Sequence, residues 1–432
     1  APQRISVSAN RVRHCRLAMP LPVDAPNLAP LRPFGVAGPR RQRRWHRRFY
    51  SGGLEFGGFG GPMQQASTQS HAIAPARVLR GPGAWAEALP AIAALGQRPL
   101  LLGRSAATAP LRQELQGQLQ AAGLEPVAAT LQHDCCESDL ARLAQQCTAA
   151  GCDAVLAVGG GKVLDAGKLL AHRLGLACIT VPSSAATCAG WTALANVYSE
   201  QGAFQGDVAL ERCPDLLVFD HDLVGQAPPR TLASGIADAM AKWYEASVSS
   251  GASADGLVQQ AVQQARVLRD QLLLEAEAAM QHPGSEAWVR VAEACGLTAG
   301  LIGGIGGARC RTVAAHAVHN GLTQLAASHG QLHGEKVGYG ILVQLRLEEV
   351  IGGNGLAAQA RRQLLPFFQA LGLPVSLADL GLGQANLEEL NAAAAFACRP
   401  GSDLHHLPFP VGPSDLLAAM VSTTVGQAAT AA

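Results

Sequence analysis

Between residues 98 and 220, short apolar runs alternate with helical stretches, and that alternation confines this part of the chain to a parallel sheet covered by helices on both faces. RPLLLGR (98–104), EPVAATL (125–131), DAVLAV (153–158), ACITVP (177–182) and LLVFD (216–220) are of strand length. Between them, APLRQELQGQLQAAG (109–123) and ESDLARLAQQCTAAG (137–151) have helical spacing and close on Gly. After about Thr231 the texture changes to Ala-, Leu- and Gln-rich stretches such as LVQQAVQQARVLRDQLLLEAEAAM (257–280), with no strand legible. The expectation is an α/β domain followed by an all-helical one, with the boundary near 228–234.

The run VGGGKVLDAGK (158–168) follows an apolar strand and leads into a helix. Glycines there let backbone N–H groups approach an anion, and a helix N-terminus favours negative charge, so the loop suits a phosphate. It matches neither GxGxxG nor the Walker pattern, and a plain strand–helix turn would also use three glycines. Asp165, one turn into the helix, could reach a ribose or a loop amide.

Further on, His316 and His319 are three apart in AAHAVHNGL and share a helix face. His333 opens HGEKVGYG, and Asp238 stands alone in GIADAMAKWYEA. Imidazoles with one carboxylate hold a divalent ion while leaving a position open for substrate. The competing reading for any one of these histidines is a satisfied core or surface residue. It suits His329, His405 and His406 better than His316 and His333.

Composition narrows the setting. Hydrophobic residues are 48% and charged residues 15% of the 432. No apolar run is read as reaching the roughly 20 residues that span a bilayer, so no membrane partner is expected. Eleven cysteines without a CxxC pair suggest reduced thiols and a cytoplasmic protein. Residues 1–62 hold 11 Arg against Asp24 and Glu55, leaving the rest mildly acidic, which argues against nucleic acid as the main partner. This Arg-, Gly- and Pro-rich extension is expected to be disordered. A targeting segment, a nucleic-acid or membrane-binding arm, and an upstream extension before a start near Met63 all stay open for it. Only four lysines occur: Lys162 and Lys168 in the glycine run, Lys242 just after Asp238, and Lys336 just after His333.

Taken together, GGGKVLDAGK (159–168), PSSAATCAGWTALANVYSEQGAF (182–204), PDLLVFD (214–220), GIADAMAKWYEA (235–246), AAHAVHNGL (314–322), HGEKVGYG (333–340) and HHLPFPVGPSD (405–415) resemble the glycerol dehydrogenase branch of the iron-containing, or group III, alcohol dehydrogenases. The resemblance covers roughly residues 72–432, in order. After the basic extension, taken over 1–70, it implies the dehydroquinate synthase-like fold: a Rossmann-like nucleotide-binding domain over 71–230 and a helical metal-binding domain over 231–432. It implies Asp238, His316 and His333 as metal ligands and catalytic centre, with His319 beside them. Lys242 stands where other branches carry a fourth ligand, His, and three ligands suit Zn2+ better than Fe2+. Cofactor contacts carry over to Gly160, Gly161, Lys162, Asp165, Ser183, Thr192, Leu194 and Tyr198. The implied enzyme is an NAD- or NADP-dependent dehydrogenase of a small polyol or secondary alcohol, of the glycerol-to-dihydroxyacetone type, forming a homo-oligomer.

Three departures bear on the substrate and cofactor. Cys188 replaces an acid that touches the polyol in the family, so it is read as a pocket-lining thiol, with a soft extra metal ligand as the lesser alternative. ARCRTVAA places Arg309 and Arg311 before His316, where a carboxylate or phosphate could pair with them; solvated or inter-helix arginines are the alternative. Arg104 ends a strand where relatives carry a ribose-binding acid, which leans toward NADP. Two other functions compete: a sugar-phosphate cyclase of the dehydroquinate synthase type, and a non-catalytic descendant.

Overall fold

The computed structural model describes residues 70–424. The basic extension expected over 1–70 therefore lies outside the described residues, apart from Ser70. Eight strands are present: β1 Arg77–Gly81, β2 Pro99–Gly103, β3 Val127–Thr130, β4 Ala154–Gly159, β5 Ala177–Pro182, β6 Leu194–Tyr198, β7 Phe204–Ala209 and β8 Leu216–Asp220. Helices α1 Ala84–Leu95, α2 Ala109–Ala121, α3 Glu137–Ala150 and α4 Gly161–Leu174 fall between the strands, and a short α5, His221–Val224, ends the region. From Pro229 onward every regular element among the described residues is helical. They are α6 Pro229–Ser250, α7 Gly256–Gln281, α8 Glu286–Glu293, α9 Ala299–Gly306, α10 Ala314–Leu322, α11 His333–Val350, α12 Gly355–Ala370, α13 Leu387–Ala397 and α14 Pro413–Thr424. The expected combination of a parallel sheet with a helical second half is what the chain forms.

Six strands make one sheet in the order β1-β8-β5-β4-β2-β3, with every pairing parallel. Its strands alternate by residue between two buried faces, as the pleat requires. Leu100, Leu102, Val155 and Ala157 pack with Leu140, Leu143, Leu169 and Leu170 on the side of α3 and α4. Leu101, Leu156 and Val158 pack with Trp85, Ile92, Leu115 and Leu119 on the side of α1 and α2. Burial on both faces explains why these strands read as unbroken apolar runs.

Two features escaped the sequence reading. β1 (RVLRG) is an edge strand in which Arg77 and Arg80 are exposed and no residue is fully buried, so it carries no continuous apolar run. β6 and β7 form a separate antiparallel hairpin with an irregularity at Val197/Tyr198. One expectation needs correcting. Glu286–Gly306 is long and apolar enough to cross a membrane by length and composition. It is 61% buried inside the protein, however, and so serves as a core helix. It passes through a π-helical segment, Ala294–Thr298, whose Gly296 backbone lies against the Phe219 ring; a Cβ there would overlap that ring.

The sheet places the site. Gly103, Gly159 and Pro182 end β2, β4 and β5 on one edge, and ligands bind parallel sheets in the crevice beyond the carboxyl ends of strands where the winding direction reverses. Here β2 leads outward to β3, while β4 leads the other way to β5. Helix α4 sits close on β4 because Gly167 has no side chain: a Cβ there would overlap that of Ala157. Gly167→Ala should therefore lower stability by about 1–3 kcal/mol, from overpacking of a filled interface, as read by urea unfolding.

Candidate active site

A cleft of about 990 Å3 opens at that sheet edge and runs toward α6, α10 and α11. All thirteen residues singled out from the sequence line it: Gly160, Gly161, Lys162, Asp165, Ser183, Cys188, Thr192, Leu194, Tyr198, Asp238, His316, His319 and His333.

At one end stands the glycine loop. Gly160 caps α4 without a side-chain acceptor, leaving the first amides of the helix to an outside partner. A Cβ at Gly160 would meet no atom within 4 Å, so that backbone borders open space, as close approach of a phosphate requires. Ser183 donates its amide to the Gly159 carbonyl at 3.0 Å, tying β5 to the loop. Of the two partners considered for Asp165, the structure supplies a backbone amide: its buried carboxylate accepts from Asn196 N at 3.3 Å and pairs with Lys168 at 3.0 Å. Lys168 also donates to the Thr192 carbonyl and hydroxyl, each at 3.1 Å, and to the Leu194 carbonyl. The two residues thus pin the hairpin wall from below. Lys162 lies 4.8 Å from the Tyr198 ring centroid, a cation–π contact.

At the other end, three elements bring Asp238 (α6), His316 (α10) and His333 (the first residue of α11) together. Their ligand atoms all lie within 4.8 Å of one another. Nε2 of His316 and Nε2 of His333 approach Asp238 Oδ1 at 3.3 and 3.5 Å. That oxygen is buried and accepts no hydrogen bond. A buried carboxylate oxygen without a hydrogen bond, set between two imidazole nitrogens, is a donor set that fits a divalent cation. Burial alone would raise the Asp238 carboxyl; Lys242 and the two imidazoles overcome it and hold it well below the usual carboxylate range.

The imidazoles are oriented from behind. Glu245, two turns after Asp238 on α6 and fully buried, accepts from Nδ1 of His316 at 2.6 Å. It also accepts the amides of Val313 at 2.7 Å and His316 at 3.0 Å. A proton held on Nδ1 leaves the Nε2 lone pair facing Asp238. Burial works against a charged ring, but Glu245 and Asp238 push His316 up to about 9, a measure of how strongly the pocket favours positive charge there. A second relay orients His333, whose Nδ1 lies 3.0 Å from Nε2 of His319, while Nδ1 of His319 meets Asn320 Oδ1 at 2.9 Å. His319 thus sits behind a ligand position. Burial, then the neighbouring His333 and Lys336, hold its pKa well below the usual range, so it stays neutral and can accept.

Cys188 is a buried thiol in the cleft wall, outside the cluster of ligand atoms; burial raises its pKa. Arg311 lines the cleft too, whereas the side chain of Arg309 lies outside the described residues. Arg104 lies at the cofactor end and is paired with Asp134, which also pairs with Lys162. Of the histidines expected to be structural, His329 does line the cleft, bound to the Thr323 carbonyl at 2.8 Å. His405 bonds the Arg399 carbonyl at 3.1 Å, outside the lining. Sequence reasoning missed Glu245, Asp134 and the pinning role of Lys168. The i, i+7 spacing of Asp238 and Glu245 on one helix face was the available signal for Glu245.

Known proteins are similar to this chain in sequence and in fold. The model of the family described as "Iron-containing alcohol dehydrogenase" matches residues 75–221. An uncharacterized oxidoreductase of Synechocystis is 56% identical over 361 residues, 84% of this chain and 93% of that protein. A glycerol dehydrogenase of Pseudomonas putida is 34% identical, covering 72% of this chain and 86% of the relative. The chain belongs to the iron-containing alcohol dehydrogenase family. Hydroxycarboxylate dehydrogenase A of Escherichia coli is 36% identical over 66% of this chain and 78% of its own. Among solved structures, a probable glycerol dehydrogenase of Sinorhizobium meliloti superposes with a TM-score of 0.74 at 29% identity, over 82% of this chain and 98% of that one. This family member is a metal-dependent polyol or alcohol dehydrogenase; the cyclase and non-catalytic alternatives are not favoured.

Removing the Glu245 carboxylate should be more damaging than its distance from the cleft suggests. Glu245→Ala leaves three buried donors without an acceptor. A stability loss of at least about 3 kcal/mol is expected in chemical denaturation, against a smaller loss for Glu245→Gln.

Proposed function

We propose that Asp238, His316 and His333 hold one divalent ion, Zn2+ rather than Fe2+, and that the glycine loop and hairpin wall hold NAD or NADP beside it. The observation that carries this reading is the unsatisfied Asp238 Oδ1, buried between two imidazoles whose lone pairs are aimed at it. Bound there, the ion would supply Lewis acidity toward a substrate hydroxyl, and the nicotinamide would supply hydride-transfer chemistry. The protein's own part is preorganisation. Glu245 and His319 fix the two imidazoles, the α4 amides and Lys162 receive the cofactor's phosphates, and Lys168 with Asp165 hold Thr192 and Leu194 in place. The reaction is oxidation of a small polyol or secondary alcohol, or the reverse reduction. Relatives named for glycerol and for hydroxycarboxylates leave the group beside the reacting carbon open.

The cofactor-binding part ends with β8 and the metal-binding part begins with α6, which supports a domain division at about residue 230. Arg104, just after β2 at the cofactor end of the cleft, supports NADP: a ribose 2′-phosphate could replace Asp134 as partner of its guanidinium. The ten cysteines among the described residues are free and mostly buried, which supports a reducing, cytoplasmic setting. Val267 and Leu274, seven apart on α7 and 67% and 83% exposed, supply an apolar stripe suited to a homo-oligomer contact.

His333→Ala tests the site directly: metal content after dialysis and turnover should fall together to background, and an active variant would show the assignment to be wrong. Arg104→Ala should lower the NADP-to-NAD ratio of kcat/KM by about tenfold, an effect on the order of one charged hydrogen bond. An unchanged ratio would remove Arg104 from cofactor selection. Cys188→Asp should raise activity on glycerol by restoring a carboxylate that accepts hydroxyl hydrogen bonds; no gain would mean that the pocket has been rebuilt more widely.

A further inference from the structure

Beside the triad, the cleft wall carries two cations with no carboxylate among the described residues within ion-pair distance. Lys242, one turn beyond Asp238 on α6, is 5% exposed, and its ammonium donates to the Arg311 carbonyl at 3.3 Å. Among the described residues no carboxylate oxygen lies within 4.0 Å of it. Arg311 lines the same cleft, its stem laid across Gly303, where a Cβ would come within 2.7 Å of the arginine Cγ. Its guanidinium has neither an ion pair nor a hydrogen-bond acceptor among the described residues. Asp403, an acid of the same lining, is taken by His406 at 3.6 Å. Cys188, between these residues and the glycine loop in sequence, contributes a thiol that burial keeps uncharged.

Asp238 and then Glu245 support the Lys242 charge at longer range, but neither caps its ammonium, and the Arg311 guanidinium in the same cleft keeps its donors unspent, so an entering anion can pair with both. A neutral polyol can accept a hydrogen bond from each but offsets neither charge. A carboxylate does both, and its planar pair of oxygens matches the guanidinium fork. Lys242 is four residues from Asp238 on the same helix face, so an anion held there sits next to the carbon whose hydroxyl reacts.

We propose that Lys242 and Arg311 form a carboxylate subsite beside the triad, and that the preferred substrates are small 2-hydroxycarboxylates and their 2-oxo acids. This rests on the dehydrogenase reading and specifies its substrate class. In the oxidative direction, C2 of the hydroxy acid gives its hydride to NAD(P)+, the C2 hydroxyl loses its proton to solvent, and a 2-oxo acid, NAD(P)H and H+ result. The carboxylate itself does not react; it anchors the substrate.

Matched pairs isolate the effect, because glycerate and glycerol, or lactate and propane-1,2-diol, differ at the position of the carboxylate. With the metal-loaded full chain and either cofactor, kcat/KM should favour the acid of each pair by about tenfold or more. Arg311→Met should collapse that acid-to-diol ratio at least tenfold, mainly through KM, with metal content retained, and Arg311→Lys should restore part of it. Calorimetric binding of oxamate, a 2-oxo acid isostere that is not reduced, should weaken in parallel. Turnover of the diols with no preference for the acids, or a ratio unmoved by Arg311→Met, overturns the subsite and leaves the dehydrogenase reading standing. A preference for glycerol phosphate over glycerate also overturns it, in favour of a phosphate site. If neither acids nor diols react, the dehydrogenase reading fails. The subsite then stands or falls on whether oxamate binds in an Arg311-dependent way.

Discussion

A carboxylate that never touches substrate holds this site together. Glu245 is fully buried on α6 and takes three hydrogen bonds from the start of α10, two from backbone amides and one from the His316 imidazole. Burying an acid is unfavourable unless its oxygens are satisfied, and here the donors that satisfy it also fix the entry of a helix and the tautomer of His316. Moving Glu245 would move the helix and the ligand together. Folding and ligand orientation therefore depend on the same set of bonds.

The same helix carries the rest of the centre. Asp238, Lys242 and Glu245 occupy successive turns of α6, on a face that meets α10 and α11. Close approach is needed, and small residues permit it. Side chains at Gly235 and Gly334 would run into the Ala185 and Ser234 carbonyls respectively. These glycines are chosen by contact rather than by backbone angle. They bring α6, α11 and the loop after β5 near enough for short ligands to converge.

What was legible in the sequence follows from which interactions leave a local mark. Doubly buried strands must be continuous apolar runs, so β2, β4, β5 and β8 could be read directly. β1 could not, because an edge strand with exposed Arg77 and Arg80 needs no such pattern. The β6–β7 hairpin escaped because it lies on the cleft rather than in the main sheet, and alternates weakly. Among site residues, His316, His319 and His333 stood out since imidazoles in spaced pairs are uncommon. Glu245 shares a helix with Asp238, yet a buried acid looks like a surface acid until its partners are known. Asp134 and Lys168 are the same case: their roles arise from contacts 24 to 30 residues away, and no local spacing encodes those.

Charge is where this member of the family departs from a polyol site. With an acid beside the triad, the pocket would offer acceptors to hydroxyl groups and would offset its own cations. With the Cys188 thiol in the wall, Arg311 has no acidic partner among the described residues, while Lys242 is supported at longer range by Asp238 and then Glu245. The electrostatic deficit must be met either by solvent or by the substrate. An anionic substrate held beside Lys242 and Arg311 would supply that charge at the cleft wall. The change at residue 188 and the two cations thus belong to one adaptation. Reverting the thiol alone would restore an acceptor and would also create a new partner for Lys242, competing with the anion that the wall is built to receive.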